Sequence, residues 1–305
     1  MAERQAMWVL DGGTGRELKR IGAPFQQPEW SALALLQAPH FVTRVHESYV
    51  AAGARVITTN SYAVVPFHIG EERFAQQGAT LAALAGRLAR EVADRTPGKV
   101  QVAGSLPPIC GSYRAEWFDA DFARPILQSL VTALRSYVDH WQAETLSSIN
   151  EARLVREVIG QDGLPLWISY TLDDQAAAGD PRLRSGERVS DAVAVALELG
   201  AAAILFNCSQ PEVMADAVDA TMAALVSSPQ AHAASVRIGV YANAFPPQGS
   251  EAEANSTLHE IRKDLTPEGY LAFAQQWAKR GASIIGGCCG IGPEHIAALS
   301  ARLTS

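Results

Sequence analysis

Residues 201–209 read AAAILFNCS, an apolar run that ends in asparagine, cysteine and serine. Such a short apolar run predicts a buried strand. The stretch LPLWISYTL at 164–172 predicts another, and residues 191–199 between them have helical spacing, with Ser190 as the expected N-cap. A strand, a helix and a second strand in succession indicate parallel pairing.

The same alternation extends in both directions along the chain. Further strands are predicted at 7–13, 55–62, 99–108, around Glu144, at 237–245 and at 282–290. Helices are predicted from about Pro39, at 81–92, at 122–138, from about Glu212, from Pro267 with Thr266 as cap, and from about Pro293. The strand around Glu144 lacks an apolar run, so its prediction depends on its position between two helical stretches.

Eight strand–helix units in a chain of 305 residues predict an α/β fold, a single (β/α)8 TIM-type barrel that spans 1–305 as one domain. No Pro/Ser-rich linker separates two halves. A doubly wound sheet stays open as the alternative, because periodicity alone does not distinguish the two architectures.

Composition excludes several classes of protein. The chain is 48% hydrophobic and 19% charged, which is unlike a disordered chain, and its net charge of −7 does not favour nucleic acid or an anionic membrane as partner. No segment resembles a signal peptide or approaches the roughly 20 apolar residues of a membrane span. We therefore expect a cytoplasmic protein whose four cysteines stay reduced and serve metal binding or catalysis.

Polar residues follow the predicted strands at equivalent positions. Because the carboxyl ends of barrel strands share one mouth, we expect these residues to converge there. They are Asp11, Thr59, Asn60, Ser105, Glu144, Tyr170, Cys208, Asn243, Cys288 and Cys289.

Three cysteines in this set suggest a metal site. Thiolates favour zinc or another soft ion, and three protein ligands leave the fourth position of a catalytic zinc open. Gly286, Gly287 and Gly290 surround the Cys288–Cys289 pair and let the backbone turn, so that two adjacent thiolates can reach one ion. Packing of the cysteines as small hydrophobic residues, or a redox pair, stay open as alternatives.

Several of these motifs together resemble the homocysteine S-methyltransferase family. DGGTGREL, ITTNSY, AETL, FNCS and GGCCG occur in the family's order over almost the whole chain. The resemblance implies a zinc–thiolate barrel in which Cys208, Cys288 and Cys289 are both metal ligands and catalytic residues. It also implies substrate contacts, which are Asp11, Gly12, Ser105, Glu144 and Asn243. Thr59 is added to these predicted contacts because it ends the second predicted strand.

The implied reaction moves a methyl group from a small cationic donor to the thiol of homocysteine, giving methionine. S-methylmethionine is the first candidate donor, and S-adenosylmethionine and betaine-like compounds are the others. The segment GSLPPICGSYRAEW at 104–117 differs from the stretch typical of members that use S-methylmethionine. Four aromatic residues on the loops after the second and third strands could contact the donor's cation, and simple packing is the other interpretation of them; they are Tyr62, Phe67, Tyr113 and Trp117.

Two alternative functions stay open: a methyltransferase for another thiol or selenol such as selenocysteine, and a non-catalytic barrel that binds zinc or thiols. Cys110 matches no ligand position and is expected to be a free thiol. Two polar segments, 173–188 and 246–264 with His259, are predicted to be loops at the mouth, serving either as specificity elements or lids or as mobile surface.

Overall fold

A computed structural model describes residues 6–246 and 261–304. Eight strands form one parallel sheet in the order β1-β8-β7-β6-β5-β4-β3-β2. Their bounds are β1 Trp8–Val9, β2 Val56–Thr58, β3 Gln101–Leu106, β4 His140–Leu146, β5 Leu166–Tyr170, β6 Ala203–Asn207, β7 Arg237–Tyr241 and β8 Ile284–Ile285.

The two ends of this sheet meet and close it into a barrel. A parallel bridge pairs Leu10 with Val56, just beyond β1 and at the start of β2. The Arg55 amide donates to the Val9 carbonyl at 2.7 Å, and the Asp11 amide donates to the Val56 carbonyl at 3.0 Å. The predicted TIM-type barrel is therefore confirmed, and the doubly wound sheet is wrong because such a sheet stays open.

Helices follow the strands around the outside of the barrel. Their bounds are α1 Thr14–Arg20, α2 Ala32–Gln37, α3 Pro39–Ala51, α4 Pro66–Ile69, α5 Glu71–Arg95, α6 Ala120–Leu134, α7 Ile149–Ile159, α8 Val189–Glu198, α9 Pro211–Ser227, α10 Pro267–Arg280 and α11 Pro293–Leu303. Thr266 caps α10 as predicted, since its side chain accepts from the Gly269 amide. The N-cap predicted at Ser190 is wrong: α8 begins at Val189, two residues before the predicted start, and the extended Arg188 takes the cap position.

Alternation along the strands separates an inner from an outer layer. In β5, Trp167 packs inside the barrel with Leu205 and Tyr241, whereas Ile168 and Tyr170 face the layer between sheet and helices. The larger hydrophobic cluster lies in that outer layer, so the barrel wall is held between two packed layers.

Loops at the carboxyl ends of the strands surround the mouth. The loop 173–188 after β5 is described throughout. Most of the predicted loop 246–264 after β7, with His259, lies outside the described residues. Among the helices that the structure describes, none is long and apolar enough to cross a membrane.

Candidate active site

A pocket with a cavity volume of about 100 Å³ opens at the carboxyl ends of the strands. This is the mouth where the sequence placed its polar residues. Seven of the nine predicted site residues line it: Asp11, Gly12, Thr59, Glu144, Cys208, Cys288 and Cys289.

The cysteines form one cluster. The sulfur atoms of Cys208, Cys288 and Cys289 all lie within 4.8 Å of one another, although the first follows β6 and the others follow β8. Cys208 and Cys288 are joined as a disulfide, and Cys289 is a free, buried thiol. This differs from the prediction that all four thiols are reduced. A metal could take all three sulfurs only after that bond is reduced.

Backbone conformation aims these sulfurs at one point. Regular pairing in β8 ends at Ile285, so the two consecutive cysteines are not forced to opposite faces of a strand. Gly290 has φ +86°, which turns the chain directly after the pair. Cys208 itself has φ +51°, a left-handed conformation that few non-glycine residues adopt.

Burial dominates the electrostatics of the free thiol. Cys289 is 9% exposed, and burial raises its pKa to about 11, with the positive charge of Arg16 acting in the opposite direction. A thiolate here would therefore need a nearby cation to be stable. Cys110 is also a free thiol, as predicted, and it lies outside the cluster, where its sulfur contacts the backbone of Asp119.

Glu144 presents a buried carboxylate to the pocket. Ser105 donates its hydroxyl proton to one carboxylate oxygen. Gln142 and Tyr241 reach the other oxygen at 3.5 and 3.4 Å. Burial raises the pKa of Glu144, and these hydrogen bonds oppose that effect. A cationic ligand beside the carboxylate would stabilise its ionised form.

Asp11 is the second acid of the pocket. Its carboxylate accepts from the Thr58 amide at 2.7 Å and from the Thr58 hydroxyl at 3.1 Å. Burial raises the pKa of Asp11 to about 7, and the charge of Glu144 contributes in the same direction. The pocket thus holds two buried acids whose negative charges disfavour each other. A single positive charge between them would stabilise both ionised carboxylates.

Asn60, also expected at the mouth, lines the pocket, whereas Ser105, Asn243 and Tyr170 do not. Ser105 lies behind Glu144, and its amide donates to the Thr59 hydroxyl at 3.0 Å, so any contact of Ser105 with substrate is indirect. Asn243 is buried and accepts from the Phe245 amide at 3.2 Å. Its contact with the substrate stays a prediction. The expectation that Tyr170 reaches the mouth is wrong, because alternation along β5 turns that side chain outward into the main core.

Aromatic side chains form much of the pocket wall. Tyr62 and Tyr113 line it as predicted. Phe67 and Trp117 do not line it; they are 41% and 39% exposed, and the Arg114 guanidinium covers the Trp117 ring at 4.1 Å. Sequence reasoning missed three further aromatic residues of the wall, which are Trp30, Tyr241 and Phe245. Of these three, only Tyr241 was predictable from the sequence, since alternation along the seventh strand places it on the same face as Asn243.

The loop 173–188 is fastened beside the pocket. Arg184 and Asp174 form an ion pair at 3.0 Å with side chains that are 4% and 0% exposed. The Arg184 guanidinium lies 4.5 Å from the centre of the Tyr113 ring, and the Asp174 carboxylate accepts from the Gln210 amide at 2.8 Å. These contacts hold Asp174 and Arg184 in place, and the role of the loop as a specificity element, a lid or mobile surface stays a prediction.

Comparisons with known proteins agree with this geometry. A family model described as homocysteine S-methyltransferase matches residues 8–303. Homocysteine S-methyltransferase 1 of Arabidopsis thaliana is 28% identical, over 97% of this chain and 93% of that protein. A selenocysteine methyltransferase of Astragalus bisulcatus is 25% identical, over 97% and 92%. The homocysteine methyltransferase MmuM from Escherichia coli, solved in a metallated form, is 26% identical with a TM-score of 0.74, over 98% of this chain and 96% of that one.

Proposed function

Because the chain belongs to the homocysteine S-methyltransferase family, a family of methyltransferase enzymes, we propose that it methylates the thiol of homocysteine at a zinc site and forms methionine. The observation that carries the proposal is the meeting of three cysteine sulfurs and two buried carboxylates in one pocket. Family membership favours this enzyme over a barrel that only binds zinc or thiols.

The cysteine cluster fits a zinc ion. Its donors are all sulfur, which suits zinc, and three of them leave a fourth position for a substrate. When bound, zinc would supply the positive charge that keeps a coordinating thiol ionised at neutral pH. Cys208, Cys288 and Cys289 would hold it, provided that the disulfide is reduced, as expected for the predicted cytoplasmic location.

The acids would recognise the amino group of homocysteine. An ammonium between Asp11 and Glu144 would supply the positive charge that both buried carboxylates lack. Gly12 lies beside them in the pocket wall, where a side chain would overlap the Tyr49 ring, with its Cβ 2.8 Å from Cε1. Thr59, directly after β2, is part of the same wall, and Ser105 acts on the substrate only through Glu144.

The methyl donor would occupy the aromatic part of the pocket. In the reaction the homocysteine sulfur attacks the methyl carbon, the bond from that carbon to the donor breaks, and the bond's electron pair stays on the donor atom, which becomes neutral. The thiol proton leaves to solvent. Tyr62, Tyr113 and Phe245 present rings that can stabilise a cationic donor. S-methylmethionine is the first candidate, followed by S-adenosylmethionine and betaine-like donors.

A panel of donors tests the proposal. Reduced, zinc-loaded protein is incubated with homocysteine and each donor separately, and methionine is quantified. We expect turnover with a single donor class and about one zinc per chain. Selenocysteine is included as a second acceptor, because one relative is a selenocysteine methyltransferase.

Two cysteine variants complete the experiment. Cys208→Ser should keep the fold, measured by circular dichroism, and lose both zinc and activity. Cys110→Ser removes a thiol outside the cluster and should retain both. Full activity of the reduced wild-type protein without stoichiometric zinc would contradict the proposal.

A further inference from the structure

Four residues that line the pocket have left-handed backbones, namely Trp30, Tyr113, Thr145 and Cys208, and the last two lie at or beside proposed functional residues. Thr145, with φ +61°, directly follows Glu144, and Cys208 has φ +51°. Left-handed conformations of non-glycine residues persist only where their surroundings hold them. The strand β4 also loses its regular register between Ala143 and Leu146, at the position of Glu144 and Thr145.

One side chain joins these two places. Asn207, which precedes Cys208, accepts from the Thr145 amide at 3.0 Å through Oδ1 and donates from Nδ2 to the Thr145 hydroxyl at 2.8 Å. We call this pair the Asn207–Thr145 clasp. Both residues are at most 1% exposed, so water does not compete for these bonds. The clasp joins the ends of β4 and β6, which are not neighbours because β5 lies between them.

The clasp acts on two groups that a substrate must span. On one side Thr145 sets the direction of the backbone at Glu144, whose carboxylate faces the pocket. On the other side Asn207 sets the backbone that carries the Cys208 sulfur. An amino acid thiol held by its ammonium at Glu144 and by its sulfur at the cysteine cluster must match the distance between them.

We propose that the Asn207–Thr145 clasp determines the acceptor's chain length, by fixing the span between the Glu144 carboxylate and the Cys208 sulfur. The inference rests on the proposed function, in which these two groups bind the ends of the acceptor. The clasp selects acceptors with two carbons between Cα and sulfur, as in homocysteine, over acceptors with one, as in cysteine.

Discrimination between homocysteine and cysteine tests the inference. One methylene in a fitted site is worth about 10–200-fold in kcat/KM, so the wild-type ratio should lie in this range. Thr145→Val removes the hydroxyl that accepts from Asn207, and we expect the ratio to fall at least about fivefold, because the span is no longer fixed. Thr145→Ser keeps the hydroxyl and should restore the wild-type ratio.

Thr221→Val is the matched control. Thr221 is a fully buried threonine of α9 whose hydroxyl donates to the Ala217 carbonyl at 2.7 Å, away from the pocket. It should lose stability without a change in the ratio. Because the Tyr62 hydroxyl also contacts the Thr145 side chain, Asn207→Asp is a second variant. It keeps the oxygen that accepts from the Thr145 amide and replaces the amide donor by a carboxylate oxygen, and it too should lower the ratio.

Binding measurements give a readout that is independent of turnover. Isothermal titration calorimetry compares methionine with S-methylcysteine on reduced, zinc-loaded protein without a methyl donor, so that the sulfur end of the ligand has its proposed binding site. Thr145→Val should lower the preference for methionine. Two results would overturn the inference. One is an equal loss of affinity for methionine and for S-methylcysteine in the variants, and the other is an unchanged preference in both Thr145→Val and Asn207→Asp. A wild-type protein that transfers methyl groups from no donor would instead contradict the proposed function, and the binding preference would still test the clasp.

Discussion

Replacing Gly13 with alanine tests how closely the start of α1 packs against the cysteine pair. Gly13 has φ −71° and ψ 98°, an extended conformation that alanine adopts freely, so the substitution brings no backbone strain. An added Cβ would lie 2.6 Å from the Cys288 carbonyl oxygen and 3.1 Å from Cys289 Cα. Both atoms belong to the backbone, so they cannot move aside through a change of side-chain rotamer.

The overlap sets the size of the expected effect. Carbon atoms pack best at about 3.5–4.0 Å, so Cys289 Cα must move by about 0.5 Å. Overpacking of this kind costs about 1–3 kcal/mol of folding free energy. Metal–sulfur distances tolerate only about 0.2 Å. We therefore expect Gly13→Ala to weaken zinc binding by about 10–100-fold, the range seen when groups that support metal ligands are altered.

Two measurements separate the local effect from general destabilisation. Zinc affinity is measured by competition with a chromophoric chelator, and the free energy of unfolding by urea titration of the reduced, metal-free protein. Gly78→Ala is the control, because its Cβ would lie equally close, 2.6 Å, to a ring atom of Phe74 in α5 rather than to backbone. It should leave zinc affinity unchanged. Wild-type zinc affinity in Gly13→Ala would refute the reasoning.

Three further predictions concern the charges around the pocket. Burial raises the pKa of Asp11 to about 7, so its ionised fraction rises with pH through this range. Binding of methionine, which has no thiol to titrate, should weaken about tenfold per pH unit below 7 and level off above it. In calorimetry, Asp11→Asn should reduce this dependence to the part that the Glu144 carboxyl contributes. Glu144→Gln keeps the shape of the side chain and removes its charge. Steady-state kinetics should show KM for homocysteine rising at least about tenfold, because one charge-assisted hydrogen bond of about 1.5–3 kcal/mol is lost. An unchanged KM would exclude an ammonium contact. Arg184→Met leaves the buried Asp174 carboxylate without its ion-pair partner, so urea titration should show the free energy of unfolding lowered by about 3–5 kcal/mol. The double variant with Asp174→Leu should recover most of that loss.

Strand order and the position of the site were predictable from local patterns. Parallel strands place their carboxyl ends at one mouth, so residues that end different strands converge without any knowledge of contacts. Even the strand around Glu144, which has no apolar run, was predicted correctly from its place between helices. It is polar because its inner face supplies Gln142 and Glu144 to a buried hydrogen-bond network.

Other features depended on details that a single sequence does not contain. Tyr170 was assigned to the mouth because it ends its strand, and a shift of one residue in register exchanges the inner and outer faces. Trp30 and Phe245 enter the pocket from irregular segments, for which no periodicity indicates a direction. The Asn207–Thr145 clasp depends on the disturbed register of β4, and no local pattern predicts that disturbance.

The seam between β1 and β2 has a consequence for how the barrel opens. β1 and β8 have two residues each, and β1 meets β2 through one bridge and its flanking hydrogen bonds. With so few bonds, this seam should open before the rest of the wall, and its amides should exchange with solvent at a lower opening free energy than those of β4 and β5. Asp11 lies at this seam, and the cysteine pair follows β8, the other neighbour of β1, so a ligand that contacts both would hold β1 in the barrel wall. Amide hydrogen exchange at residues 9–11 and 284–287 would then report ligand occupancy directly.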